Sequence, residues 1–285
     1  NRGDVLSDNK KKKRRKRAKR GGIGFFSAVL IILAVWYWNT YTLKTTSIDI
    51  ASEKAAGEVT IVELTDLHGS SFGGGNRRLI RRINKAKPDI ITVTGDMYTS
   101  GDSSGRATAL SLLEALSEEY DVYYVNGEHD NSEGFFEELR AVGVNVLDYK
   151  SADMTVNGTE ITLYGINNVY YTPTFDLHNE YELDESRFNI LLAHIDNPQA
   201  FREFAPDLCI CGDTHGGQIR LPFIGAVNCS GVWFPEISGG DTVYTKGYYD
   251  LQQTKLFVSS GLGNFPFPVR FLNRPEIAVI HIVKE

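Results

Sequence analysis

"CICGDTHGGQI" (residues 209–219) ends an apolar run in a carboxylate and an imidazole, Asp213 and His215, set two apart among glycines. Such a pair is costly to keep at the end of a buried strand unless something holds it, and a divalent cation is the usual holder. A cation needs more donors than these two, and the chain offers them wherever another short apolar run hands over to a loop. After "VTIVEL" (59–64) come Asp66 and His68; after "DIITVT" (89–94) come Gly95 and Asp96; after "DVYYV" (121–125) come Gly127, Glu128, His129 and Asp130; after "NILLA" (189–193) comes His194. A lone His at a strand end is more often a hydrogen-bonded structural residue than a ligand. Five strand ends that all carry metal-competent groups are a different matter. In α/β folds ligands gather at the carboxyl ends of strands, so five such ends can meet at one site.

Between these runs lie helical patterns, "RRLIRRINKAK" (77–87), stopped by Pro88, and "ATALSLLEALSEEY" (107–120). Further strands are expected at "ITLYGI" (161–166), "KLFVSS" (255–260) and "IAVIHIV" (277–283), which makes the class α/β. With 285 residues, 42% of them hydrophobic and 23% charged, the chain can bury a sizeable core and is not disordered by composition. Its three cysteines, Cys209 and Cys211 on one apolar strand and Cys229 alone, make neither a disulfide framework nor a zinc spacing, and the pair is expected to pack in the core.

The formal net charge of -6 is unevenly spread. Residues 1–20 hold eleven of the 30 basic residues and two of the 36 acidic ones, so residues 21–285 carry -15. A basic run can be a nucleic-acid arm or the cytoplasmic flank of a membrane segment, and here it abuts 23 uncharged residues, Gly21 to Leu43, closing in Trp36, Tyr37, Trp38 and Tyr41. Bulky aromatics stand where a signal peptidase would need small residues. The expectation is an uncleaved transmembrane signal anchor over 21–43, a cytoplasmic tail over 1–20, a polar linker over 44–58 and a folded domain over 59–285 on the far side of the cell membrane, with no nucleic-acid partner. The chain opens on Asn1 rather than Met, as expected of a trimmed or incomplete N-terminus.

Taken in chain order, Asp-x-His (66–68), Gly-Asp (95–96), Gly-x-His-Asp (127–130), the lone His194 and Gly-x-x-His-Gly-Gly (212–217) resemble the calcineurin-like metallophosphoesterase superfamily. "THGGQIRLP" (214–222) and "SSGLGNFPFPVRFLNRPEI" (259–277) are similar to its membrane-associated bacterial branch, so the resemblance covers residues 59–285. It implies a two-layer β-sandwich flanked by helices, a four-layer fold, with two divalent metals bridged by Asp96. The first metal would take Asp66, His68, Asp96 and His215, and the second Asp96, Glu128, His194 and Asp213. His129 would stay free as acid catalyst, oriented by Asp130, while water activated between the metals attacks a phosphoester.

Two positions depart from the superfamily pattern, which expects Asn at 128 and His at 213 where this chain has Glu and Asp. Formally, two added carboxylates bring the charge of site plus metals from about +2 to about zero, and oxygen-rich coordination favours Mn²⁺ or Mg²⁺ over Zn²⁺. Arg270, in "PVRFLNRPEI", is expected on the resemblance to grip a substrate phosphate, with Arg274 a weaker candidate. Asn167 and Asn168 are expected in a turn, and the aromatics of 168–175 in packing. The function expected is a membrane-anchored phosphodiesterase or pyrophosphohydrolase acting on a lipid-linked or cell-envelope phosphoester. The alternative is a catalytically weak envelope protein that uses the same metal site to bind a phosphorylated ligand.

Overall fold

The computed structural model describes residues 2–167, 175–238 and 243–285, and of residues 2–21 the backbone alone. One long helix, α1 (Arg2–Tyr41), opens the chain, and its part Gly22–Tyr41 is long and apolar enough to cross a membrane and almost wholly uncovered by the rest of the protein. After Thr42 and Leu43 the chain passes directly into β1 (Lys44–Ser52). The expected linker over 44–58 is thus corrected: its first nine residues pair in parallel with the chain's last strand. Local sequence explains this, because Thr45, Thr46, Ile48 and Ile50 are β-branched and Ile48 and Ile50 pack on the face that the core covers. The folded domain therefore begins at Lys44, not Val59.

Strands and helices then alternate: β2 (Val59–Leu64), α2 (Arg77–Ala86), β3 (Ile90–Thr94), α3 (Ser103–Ser117), β4 (Asp121–Val125), α4 (Glu133–Ala141) and β5 (Asn145–Val146), with β2 to β5 parallel. The second sheet is built from β6 (Lys150–Val156), β7 (Thr159–Gly165), β8 (Phe188–Leu192) and β9 (Leu208–Cys211), with α5 (Pro198–Phe204) between β8 and β9, and β7, β8 and β9 are parallel. Two small hairpins follow, β10 (Arg220–Leu221) with β11 (Gly225–Ala226) and β12 (Asn228–Cys229) with β13 (Val232–Trp233). Then β14 (Gly247–Asp250) and β15 (Lys255–Val258) complete the second sheet, and β16 (Glu276–Lys284) returns to the first. The sheet orders are β1-β16-β2-β3-β4-β5 and β14-β15-β9-β8-β7-β6.

The expected four-layer architecture is the observed one. Strands such as β2, β3, β8 and β9 read as near-continuous apolar runs because both of their faces are covered. Ile61, Ile90, Ile190, Ile210 and Ile280 meet between the sheets. Val62, Val93, Leu113 and Phe135 pack the first sheet against its helices, and Leu191, Cys209, Phe201 and Phe204 pack the second against α5. All three cysteines are free and buried, Cys209 and Cys211 in the core as expected. Helix ends obey local chemistry: the Asp102 carboxylate accepts from Gly105 N–H at 2.9 Å to start α3, and α2 stops at Lys87, left-handed before Pro88. The Asn167 amide donates to Asp148 at 2.8 Å, whereas Asn168 and most of the aromatic stretch after it lie outside the described residues.

Candidate metal centre

The carboxyl ends of β2, β3 and β4 in one sheet and β8 and β9 in the other open on the same seam. Backbone hydrogen bonds knit these ends together: Asp66 N–H to Gly95 O at 2.9 Å, His68 N–H to Asp96 O at 3.0 Å, and Gly212 N–H to His194 O at 2.9 Å. Asp66, His68, Asp96, Asp213 and His215 all hold left-handed backbone, with φ of 51°, 45°, 53°, 66° and 48°. That conformation costs a non-glycine residue on the order of 1–3 kcal/mol, and here it concentrates on five of the seven expected ligands.

Their side chains converge. The Nε2 atoms of His68 and His215 lie 3.2 Å apart, and His215 Nε2 is 3.8 Å from Asp66 Oδ1. Asp96 Oδ2 is 3.7 Å from His68 Nε2 and 3.5 Å from His194 Nε2, so one carboxylate oxygen faces both groups. Asp213 Oδ1 lies 3.9 Å from His194 Nε2. Donor atoms of Asp66, His68 and His215, of Asp66, Asp96 and His194, and of His68, Asp96 and His129 each fall within 4.8 Å of one another. Glu128 sits at the rim with its side chain 38% exposed and Oε1 3.8 Å from His129 Nε2. It belongs to none of these close groups.

Whether the residues suit a cation is decided by the atoms left without partners. Both carboxylate oxygens of Asp66 are buried with no hydrogen bond, and so is His194 Nε2. His194 Nδ1 donates to Thr94 O at 2.6 Å, which aims Nε2 at the cluster. His68 Nδ1 is held by Thr99 Oγ1 at 3.0 Å. Burial pushes the Asp66 carboxyl up to about 8, and the carboxylates of Asp96 and Asp213 add to it. Burial also brings His68 down to about 4 and His215 well below the ordinary imidazole range, leaving both neutral with lone pairs to give. For Asp96 burial works upward, but the charge of His194, 3.5 Å away, and the His129 backbone N–H outweigh it and hold Asp96 at about 2. A buried set of carboxyl groups and imidazoles, with the Asp66 oxygens and His194 Nε2 left without partners, fits divalent cations.

Two expected roles are corrected. Both oxygens of Asp130 accept backbone N–H groups, from Met97 and from Gly127, each at 2.7 Å, so Asp130 clamps two site loops together rather than orienting His129. Arg270 is 1% exposed and committed inward: Nε and Nη2 donate to Gly263 O at 3.1 and 2.6 Å, Nη1 donates to Ser260 O at 2.7 Å, and Nη2 lies 3.4 Å from His215 Nδ1. A guanidinium spent on carbonyls has no fork left for a phosphate. Arg274 likewise donates to Thr42 O at 3.1 Å. His129 keeps the most open side chain of the four site histidines, 20% exposed. Phe265, which the sequence did not single out, stacks on His68 with centroids 4.6 Å apart and meets His129 edge-on at 4.6 Å. Its only sequence signal is the aromatic–proline alternation "NFPFP" (264–268).

Residues 59–217 match the family model of calcineurin-like phosphoesterases. The uncharacterized metallophosphoesterase YkuE of Bacillus subtilis is 30% identical over 232 residues, covering 77% of this chain and 77% of its own. Phosphodiesterase YaeI of Escherichia coli is 26% identical over 238 residues, 80% of this chain and 83% of its own. The structure of phosphopantetheinyl hydrolase PptH from Mycobacterium tuberculosis overlaps 73% of this chain and 91% of its own with a TM-score of 0.43 and 12% identity, a likeness too distant to bear on function.

Proposed function

Since the chain belongs to the calcineurin-like phosphoesterase family, and so is a phosphoester-hydrolysing enzyme of a family that uses divalent metals, we propose that it is a membrane-anchored phosphodiesterase or pyrophosphohydrolase with two Mn²⁺ or Mg²⁺ ions. The observation that carries this is Asp96 Oδ2, facing His68 on one side and His194 on the other, as a carboxylate shared by two cations must. Asp66, His68, Asp96 and His215 would hold one ion, and Asp96, His194, Asp213 and the rim carboxylate Glu128 the other. Such a pair supplies charge for the phosphoryl oxygens and lowers the pKa of attacking water.

The rest falls to the chain's own groups. His129, the least buried of the four site histidines and met edge-on by Phe265, would pass a proton to the leaving oxygen. Asp130 keeps the Met97 and Gly127 backbone in place, and the His129 N–H donates to Asp96 Oδ1 at 2.9 Å, which ties the backbone of the acid to the Asp96 carboxylate. Preference for Mn²⁺ or Mg²⁺ over Zn²⁺ follows from the carboxylates Asp213 and Glu128 in place of softer or neutral ligands. The apolar half of α1 and the basic run before it favour an anchored enzyme with a cytoplasmic N-terminus.

The test is hydrolysis of bis(p-nitrophenyl) phosphate and of the monoester by the full chain in detergent, stripped of metal and then given Mn²⁺, Mg²⁺, Ca²⁺ or Zn²⁺ separately. Mn²⁺ or Mg²⁺ restores diester turnover, and His129→Ala lowers kcat by about 10²–10⁴ at unchanged metal content. Two tightly held zinc ions would overturn the metal assignment. Metal lost together with activity in His129→Ala would make His129 a ligand instead of an acid.

A further inference from the structure

The loop that carries Phe265 and Arg270 is fastened to the end of α1. Trp36 Nε1 donates to Pro268 O at 2.9 Å, Thr40 Oγ1 accepts from Arg270 N–H at 3.2 Å, and Asn39 Oδ1 accepts from Leu272 N–H at 2.9 Å. Trp36 stands five residues before Tyr41, the last residue of α1, which at the rise of a helix is about 7.5 Å along the axis. The apolar part Gly22–Tyr41 has 20 residues, about 30 Å, the thickness of a bilayer's hydrocarbon. If α1 spans, a loop tip hydrogen-bonded to Trp36 lies inside the outer boundary of that layer. The tip is built for it: Phe267 is 67% exposed, and Val269 and Leu272 are exposed beside it.

A second segment joins the first. Ile219 pairs with Phe271, and Arg220 N–H donates to Phe271 O at 3.0 Å, which sets the hairpins after β9 beside the loop. Outside α1, twelve large apolar side chains are exposed among the described residues, and ten of them lie within 219–237 or 267–272, Phe223 and Trp233 included. Both segments begin at the metal centre, one just after His215 and one at Phe265, and the Gln218 amide donates to Phe265 O. Across the helix end lies a groove of about 820 Å³ lined by Trp38, Lys44, Arg81, Arg82, Lys85 and Arg274. Among the described residues no ion pair to Lys44, Arg81, Arg82 or Lys85 is present, although residues 21–285 carry a formal charge of -15.

Resting on the membrane-anchor reading of α1, we propose that residues 267–272 and 219–237 form an apolar lip that enters the outer leaflet next to the helix, and that the metal centre opens onto the lipid surface. The basic groove takes anionic lipid headgroups on the other side of α1. The substrate class is a phosphoester borne on acyl chains, whose headgroup reaches the histidines while its chains stay in the bilayer. An exposed apolar patch continuous with a spanning helix has the bilayer as its natural cover.

The experiment uses the full chain in nanodiscs of phosphatidylcholine with phosphatidylglycerol. The three native cysteines are buried, so Phe267→Cys can carry a polarity-sensitive fluorophore, with Tyr149→Cys, exposed and outside both segments, as the reference. The proposal expects a blue-shifted label at 267, quenched several-fold more than the label at 149 by lipids spin-labelled high on the acyl chain. Equal, water-like labels overturn it. Resistance of the chain to carbonate extraction is measured in parallel: a chain that extracts removes the anchor and the lip together, while one that resists with a water-exposed 267 removes the lip alone. In Phe267→Ser/Trp233→Ser, the ratio of turnover on a fluorescent phospholipid in the disc to turnover on bis(p-nitrophenyl) phosphate falls about tenfold, and an unchanged ratio refutes the lipid-borne substrate. Absence of turnover on either substrate in the native chain refutes the lipid-borne substrate and the phosphodiesterase reading together, while the label depths still decide the lip.

Discussion

Replacing Arg270 by Lys keeps a charge but cannot span the carbonyls of Gly263 and Ser260, and each buried acceptor left without a donor costs about 1–3 kcal/mol. Arg270→Lys is therefore expected to lose a few kcal/mol and to melt roughly 10 °C lower by calorimetry, with KM for a diester little changed in the surviving folded protein. A phosphate-gripping Arg would give the reverse, a raised KM at unchanged melting temperature. Glu63 poses a different question. It is fully buried on β2, accepts from Thr92 and, at 2.6 Å, from Thr94, and burial raises its carboxyl to about 8 against those hydrogen bonds. Folded, the group keeps its proton up to about pH 8; unfolded, it loses it near 4.5. Its stabilisation is thus fully present below the unfolded pKa and lost as pH rises through the folded one, at up to about 1.4 kcal/mol per pH unit. With metal held saturating, Glu63→Gln should flatten the fall in stability between pH 5 and 8, as read by urea melts at each pH. A variant that parallels the parent would show that Glu63 is ionised inside the fold.

At the level of the element, the site depends on how closely one strand end can pass another. A Cβ on Gly127 would sit 2.1 Å from Asp96 Oδ1 and 2.8 Å from Asp96 N, so the turn after β4 reaches the Asp96 carboxylate only because residue 127 has no side chain. Gly127→Ala is expected to displace Asp96 and weaken metal binding by about 10–100-fold while the two sheets persist, measured as metal content after dialysis alongside far-ultraviolet circular dichroism. Full retention of two metals would mean that the turn yields instead. The strand ends were legible in the sequence because Asp66, Asp96, His194 and Asp213 interrupt apolar runs, and only a chemical demand explains charge at such places. The short elements were not: α4, α5 and β6 have too few turns or too much exposure for a period to stand out. Nor could the sequence say where Arg270 points, since a loop arginine turned outward and one turned into its own loop carry the same letters. The Phe265 contact with His68 and His129 arises only when a loop about 200 residues downstream of His68 folds back over the strand ends.

Across the whole molecule, the decisive boundary is where α1 stops and the domain begins. Polarity placed it at Val59, but the pairing of β1 with β16 over nine residues places it at Lys44, because a strand with one covered face is half polar and resembles a linker in composition. The two boundaries predict opposite behaviour. A chain of residues 59–285 would leave one edge of β16 unpaired, and β16 is apolar along most of its length, with Ile277, Ile280 and Ile282 buried. An open, hydrophobic edge is an invitation to pair with another copy. Residues 44–285 keep β1 over that edge, together with the Thr46 hydroxyl that donates to Glu276 at 2.6 Å. The expectation is that 44–285 is a soluble monomer that binds metal, whereas 59–285 aggregates or melts at least 10 °C lower, judged by size-exclusion chromatography and thermal melts of both in the same buffer. Equal stability of the two would show that β1 adds nothing to the sheet and that the remaining layers stand without it.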